Sequence, residues 1–186
     1  MTIIVKTMNY MGASWHRAYA MYRRVMQPLA ILAAQRQIMT DREFAALAAD
    51  DLIVKHVALD ENAHVVGLAA ATPCLDQVPL ISVPYYRHRY GDDLVDAGRV
   101  WYVPFVCVDR DTPGTRDLFA RLVRGIAEPI AKVKGVGCLD FCERNMDEVP
   151  IFPTATEIIK RAHGRDVGDH VDDSQHYVSW DFGDLA

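Results

Sequence analysis

The sequence predicts an α/β domain: a mixed, mostly antiparallel central sheet with helices on both faces. Three observations carry that expectation. Two strand-like runs, residues 53–59 and 64–71, are joined by Asp60-Glu61-Asn62-Ala63, a hairpin loop of common length. Further along, strand-like runs alternate with amphipathic helical stretches, the pattern of strand–helix–strand units. Finally, 186 residues that are 51% hydrophobic and 24% charged can bury a core without disulfides or metal.

The elements follow in order. Residues 2–8 (TIIVKTM) form a short β-branched run, a first strand. Ser14 is placed to cap a helix in which Trp15, Ala18, Tyr19, Tyr22, Val25, Met26 and Leu29 recur at steps of three and four and line one face. Pro28 is expected to end it. Thr40-Asp41-Arg42-Glu43 reads as a capping box opening a second helix, with Phe44, Leu47 and Ala48 as its apolar face.

After the hairpin, residues 72–98 lose periodicity. They hold Pro73, Pro79, Pro84, Gly91 and Gly98 around the cluster Tyr85-Tyr86-Arg87-His88-Arg89-Tyr90. An irregular excursion with one helical turn is expected, and long loops of this kind often serve function. Residues 99–108 (RVWYVPFVCV) are the strongest strand; Pro104 cannot donate to a ladder, so it marks a bulge or a splayed position. Leu118, Phe119, Leu122, Val123, Ile126, Ile130 and Val133 give one helical stripe, which Pro129 should kink or shorten. A strand over 136–141, a helix over 154–163 and a last strand over 175–182 complete a single domain spanning 1–186.

Composition excludes several functions. A net charge of -5 and a sequence pI near 5.8 leave no broad basic field for nucleic acid or an anionic membrane. No apolar run approaches the roughly 20 residues of a membrane span, and the first ten residues lack a signal-peptide pattern. A soluble, cytoplasmic protein is expected. Cys74, Cys107, Cys138 and Cys142 form no CxxC pair. On one strand, Cys138 and Cys142 would lie roughly 13 Å apart, beyond the ~7 Å limit of a disulfide. Reduced thiols and no metal are expected, since no histidine stands at ligand spacing.

The most informative segment is Val106-Cys107-Val108-Asp109-Arg110-Asp111-Thr112-Pro113-Gly114-Thr115-Arg116. A strong strand runs through a short loop into an amphipathic helix, whose free N-terminal amides suit a phosphate or pyrophosphate. In this element order the chain resembles the GNAT superfamily of N-acetyltransferases over residues 1–182. The resemblance implies the acyl-CoA N-acyltransferase fold, with acetyl-CoA or another acyl-CoA as co-substrate and its pyrophosphate gripped by the loop before the helix. The family loop, Gln or Arg, two residues, Gly, one residue, Gly or Ala, aligns with Asp111, Gly114 and Arg116, so only its first glycine is kept. Val106 and Val108 are the implied main-chain partners of pantetheine, with Gly114, Thr115 and Arg116 at the phosphates. His64-Val65-Val66-Gly67 is similar to the family's third strand. Asn145 falls where members often carry Asn after the fifth strand, and seven positions on Phe152 stands where a tyrosine commonly serves as general acid.

Residues 37–109 also resemble the acyl-homoserine-lactone and long-chain N-acyl amino acid synthases, through Met39-Thr40-Asp41-Arg42-Glu43-Phe44, His64-Val65-Val66-Gly67 and Trp101 to Asp109. The catalytic Glu and Arg of the lactone synthases are absent.

Aminolysis of a thioester needs a base for the amine, polarisation of the carbonyl and often a proton for the thiolate. Glu143, just past the fifth strand, is the base candidate and Tyr102 an acid or orienting hydroxyl; a solvated charge and a half-buried strand tyrosine are the plainer readings. Tyr85, Tyr86, Arg87 and His88 are candidates for the acceptor wall, with Arg87, His88 or Arg89 placed to read a carboxylate. Cys142 reads as an inert thiol, His56 and His64 as hairpin histidines, and the tract Asp169, His170, Asp172, Asp173, His176 as a solvated hairpin sooner than a divalent-ion site. Three functions stay open: transfer of an acyl group, acetyl first, to a small-molecule amine; a long-chain synthase, fed by acyl carrier protein in one form; and a non-catalytic binding relic of the fold. A homodimer is equally open.

Overall fold

A computed structural model describes residues 2–33, 36–79, 81–142, 150–164 and 167–178. Its strands are β1 (Ile4–Met8), β2 (Val54–Leu59), β3 (Val65–Thr72), β4 (Val100–Val108) and β5 (Val136–Cys138). Its helices are α1 (Trp15–Met26), α2 (Leu29–Leu32), α3 (Asp41–Ala49), α4 (Val83–Tyr90), α5 (Asp92–Asp96), α6 (Leu118–Lys132) and α7 (Ile151–His163). One sheet has the order β1-β2-β3-β4-β5, antiparallel except for the parallel β4/β5 pair. The mixed, mostly antiparallel sheet read from the sequence is therefore the one found.

Strand alternation sends neighbouring residues to opposite faces. On one face, Tyr22 of α1 and Phe44 of α3 pack on Phe105, Leu68 and Val57. Ring centroids lie 5.1 Å apart for Tyr22–Phe44 and 5.0 Å for Tyr22–Phe105. On the other face, Leu118, Leu122, Ile126 and Ile130 of α6 cover Ala58, Val66, Ala69, Trp101 and Val103. Gly67 permits that approach: a Cβ there would stand 2.8 Å from Leu118 Cδ2. A third cluster joins Leu75, Val78 and Val95 to Val100, Tyr102 and Cys138.

The expected capping box is present: Thr40 and Glu43 each accept from the other's backbone amide. Arg36 adds two bonds to the Glu43 carboxylate, at 2.6 and 2.7 Å. The Arg36 and Thr40 bonds hold the Glu43 carboxyl down at about 2. A depressed carboxylate contributes its stability above its unfolded pKa, ~4.3, and loses it as pH falls through the folded value. Arg36 is 43% exposed, so water screens the pair. We expect Glu43→Gln to cost about 1 kcal/mol at pH 7, chiefly through the cap. That cost should shrink steadily between pH 4.5 and 3 in urea denaturation; a cost constant with pH would contradict the assignment.

Several expectations are corrected. Residues 83–96 are two short helices, where an irregular excursion was expected. Pro84 lies in the first turn of α4, where its missing amide costs nothing, and Gly91 at φ +90° separates α4 from α5. The helices carry aromatic and charged residues without an apolar stripe, so periodicity misses them. Pro129 lies inside α6, which ends three residues later at Lys132 and leaves Val133 of the expected stripe at its C-cap. The strand expected over 136–141 stops at Cys138. Residues 175–178 of the expected last strand hold no regular secondary structure, and its remainder lies outside the described residues.

Candidate active site

The site is built around β4. Ala70 pairs with Phe105 and Thr72 with Tyr102, so three steps along β4 oppose two along β3. The extra residue falls at Val103-Pro104, the bulge expected from a proline inside a strand. On its other edge β4 pairs with β5 only over Val100–Tyr102. β5 ends there, at Cys138, so beyond Tyr102 no strand among the described residues pairs with that edge of β4.

Asp109 N–H donates to Val66 C=O at 3.0 Å, toward β3. By strand alternation the main-chain groups of Val108 and Val106 face the opposite way, to the edge of β4 that β5 does not reach. A main-chain edge along β4 thus leads from Tyr102 to the loop that opens α6.

That loop is braced from within. Asp109, 8% exposed, accepts from Thr112 Oγ1 at 2.8 Å and from Arg24 Nη2 of α1 at 2.5 Å. Thr115 is buried, and its hydroxyl donates to Thr112 C=O at 2.9 Å, so its amide, not its side chain, is left for a ligand. Gly114 has φ +79°, a left-handed conformation that other residues adopt only with strain. Asp111 and Arg116 are exposed.

At the other end of the opening, the buried Tyr102 donates its hydroxyl to Asp140. Burial, then the Asp140 carboxylate, push the Tyr102 phenol far above its ordinary value. Tyr86 stands edge-on to Tyr102 at 5.9 Å and parallel to Tyr90 at 6.5 Å. Burial raises the Tyr86 phenol, with Cys138, Asp140 and Asp172 among the neighbours that raise it further. Cys138 Sγ lies 3.7 Å from Tyr90 Oη, which donates in turn to Asp172. The result is an aromatic platform with a carboxylate at each end.

Of the sequence candidates, Tyr102, Val106 and Val108 lie along β4, and Tyr86 packs edge-on against Tyr102. Tyr85 packs edge-on against Tyr86 at 5.4 Å. Arg87 is engaged with Asp92 at 2.9 Å and Asp96 at 2.8 Å, bracing α4 on α5. His88 is exposed. Glu143 and Asn145 lie outside the described residues. Phe152 opens α7 with its ring 6.2 Å from Phe141. His64 is exposed and pairs with Asp60 at 3.1 Å; His56 is buried, its Nδ1 3.0 Å from Thr7 Oγ1. Burial pushes the Cys107 thiol up to about 12 and Cys138 to about 11, which makes both poor nucleophiles.

Sequence reasoning missed Asp140, and it placed Tyr90 in the tyrosine cluster and Asp172 in the acid-and-His tract without joining the two. Extending the fifth strand to 141 made Glu143 the first carboxylate past it. The strand ends at Cys138, so Asp140 takes that place. Among the described residues no three His, Cys, Asp or Glu side chains could hold a metal ion, including the tract around Asp172.

Several solved structures with this architecture are acetyltransferases. The ribosomal-protein-alanine N-acetyltransferase from Brucella melitensis biovar Abortus 2308 is 11% identical at TM-score 0.56, covering 97% of this chain and 99% of its own. The aminoglycoside 6'-N-acetyltransferase from Acinetobacter baumannii is 10% identical at 0.54, covering 98% and 100%. The chain has the acyl-CoA N-acyltransferase fold. An acetyltransferase from Trypanosoma brucei, 16% identical at 0.51, shares it over 96% of this chain and 100% of that one. No protein-family model matches the chain, and no curated protein matches it at a significant level. Within the acyltransferase fold, the β4 edge that β5 does not reach and the loop before α6 are this chain's own features, read from its own residues.

Proposed function

We propose that this protein is an N-acyltransferase that moves an acyl group, acetyl first, from coenzyme A to a small-molecule amine by direct transfer. The observation that carries the reading is the bulged strand β4, whose edge is left unpaired by β5 beyond Tyr102, with the Gly114 loop and the start of α6 at one end and a hydroxyl–carboxylate pair at the other. Main-chain groups of Val106 and Val108 would bind pantetheine as a strand would. Amides of Gly114, Thr115 and the first turn of α6 would take the pyrophosphate, with Arg116 at hand. The resemblance in sequence order and the acetyltransferase neighbours support the same assignment. A short acyl group fits best, because Leu75, Val78, Val95 and Val100 pack the space behind Tyr102.

Asp140 binds the acceptor ammonium and Tyr102 fixes the orientation of its carboxylate. Asp140 or water takes one proton from the ammonium; the neutral nitrogen attacks the thioester carbonyl, the C–N bond forms, and the C–S bond breaks. The nitrogen's surplus proton passes, through Asp140 or water, to the departing thiolate. Tyr102 is a poor acid for that step, since its phenol is held above the ordinary range. Glu143 keeps its place as a second base candidate.

Thiol release from acetyl-CoA across a panel of amines tests the reading. On the best amine, Asp140→Asn should lower kcat/KM by about 100- to 10,000-fold, as removal of a positioned base does. Release that no amine accelerates would contradict acyl transfer. A full rate in Asp140→Asn with loss in Glu143→Gln would transfer the role to Glu143.

A further inference from the structure

One carboxylate in this cleft is held as a ligand would be held. Asp172 Oδ1 accepts from Arg89 Nε at 2.8 Å and lies 3.0 Å from His170 Nε2; Oδ2 accepts from the Tyr90 hydroxyl. Both oxygens are engaged, chiefly by two donors from consecutive positions of α4. The segment that delivers Asp172 has no regular secondary structure, and residues 168–178 are exposed at every position except Asp172. An otherwise exposed segment therefore inserts a single carboxylate between donors fixed on a helix. Those donors sit at one end of the aromatic platform that ends at Tyr102 and Asp140.

Resting on the acyl-transfer reading, we infer that Arg89 and Tyr90 of α4 are the carboxylate-recognition residues of the acceptor site. Asp172 competes for them as an internal stand-in, and the acceptor is an amino acid or a similar amino carboxylate. Charge decides the class. Once Asp172 is displaced, the platform carries a guanidinium at one end and the Asp140 carboxylate at the other. In charge a zwitterion complements both ends, an ammonium for Asp140 and a carboxylate for Arg89. A dication would meet Arg89 with like charge, and a carboxylate already given three donors offers little to a second cation. Displacing one carboxylate by another leaves no donor unpaired, so the exchange has a small penalty.

The test uses the full chain, acetyl-CoA, and L-amino acids beside their carboxamides, with acetyl-CoA affinity measured calorimetrically on every variant. We expect the free amino acids to be the better acceptors. Arg89→Met should raise their KM roughly tenfold or more while changing the carboxamides little. Asp172→Ala removes the competitor and should lower the amino-acid KM by about tenfold relative to the carboxamides. Asp172→Asn, which keeps the side-chain shape, should shift the ratio in the same direction. Carboxamides accepted as well as amino acids, with acetyl-CoA still bound, would overturn this inference and spare acyl transfer. An unchanged ratio in both Asp172 variants would overturn it too. Absence of acetyl-CoA binding in the wild type would overturn both.

Discussion

Gly114→Trp is expected to abolish acetyl-CoA binding while the chain stays folded. The loop from Asp109 to Asp117 holds its shape through Asp109–Thr112, Thr115–Thr112 and Arg24–Asp109, none of which uses Gly114. At φ +79° a tryptophan costs about 1–2 kcal/mol in backbone strain. Melting should therefore fall by only a few degrees. The ligand loses much more. An indole over the loop keeps phosphate from the backbone amides, and each charge-assisted hydrogen bond lost is worth about 1.5–3 kcal/mol. Two such bonds amount to roughly 100-fold or more in affinity. Calorimetry with acetyl-CoA, paired with a thermal melt, reads both quantities. Unchanged affinity would move the pyrophosphate away from α6.

Phe44→Ala carries the largest expected effect on stability. Phe44 is fully buried, with its ring centroid 5.1 Å from Tyr22, 5.2 Å from Tyr19 and 5.8 Å from Phe105. Truncating a buried phenylalanine costs about 3–5 kcal/mol, a large share of the roughly 5–15 kcal/mol that holds a domain together. The same ring backs Phe105, the first β4 residue past the bulge, so the substitution also loosens the strand that forms the cleft. Urea denaturation should show the midpoint falling sharply at nearly unchanged slope. A loss below 1 kcal/mol would mean that α3 does not pack on the sheet as described.

The elements with strong local signals were legible in the sequence. The capping box at Thr40–Glu43, the hairpin at 60–63 and the α6 stripe each rest on chemistry confined to a few neighbouring residues. Pro104 belongs with them, since a proline in a strand has few places to go, and the bulge lies there. Helices α4 and α5 were not legible, because tyrosines and ion pairs such as Arg87–Asp92 replace the apolar stripe. Strand β5 was overestimated, because apolar character continues past Cys138 while pairing with β4 does not. That overestimate left Asp140 inside the expected strand and Glu143 as the first carboxylate past it. The meeting of Asp172 with Arg89 and Tyr90 joins residues more than 80 positions apart, a pairing no local pattern encodes. No helix among the described residues is long and apolar enough to cross a membrane.

Calorimetric titration of the wild-type chain with acetyl-CoA, a long-chain acyl-CoA and free coenzyme A tests the central claim most directly. Acetyl-CoA and free coenzyme A should both bind saturably, because the Gly114 loop and the β4 edge recognise the shared pyrophosphate and pantetheine. The long-chain donor should bind no tighter than acetyl-CoA, since the space behind Tyr102 is packed. A marked preference for the long chain would contradict the short-acyl assignment. No binding of any of the three at millimolar ligand would contradict coenzyme A-dependent transfer itself.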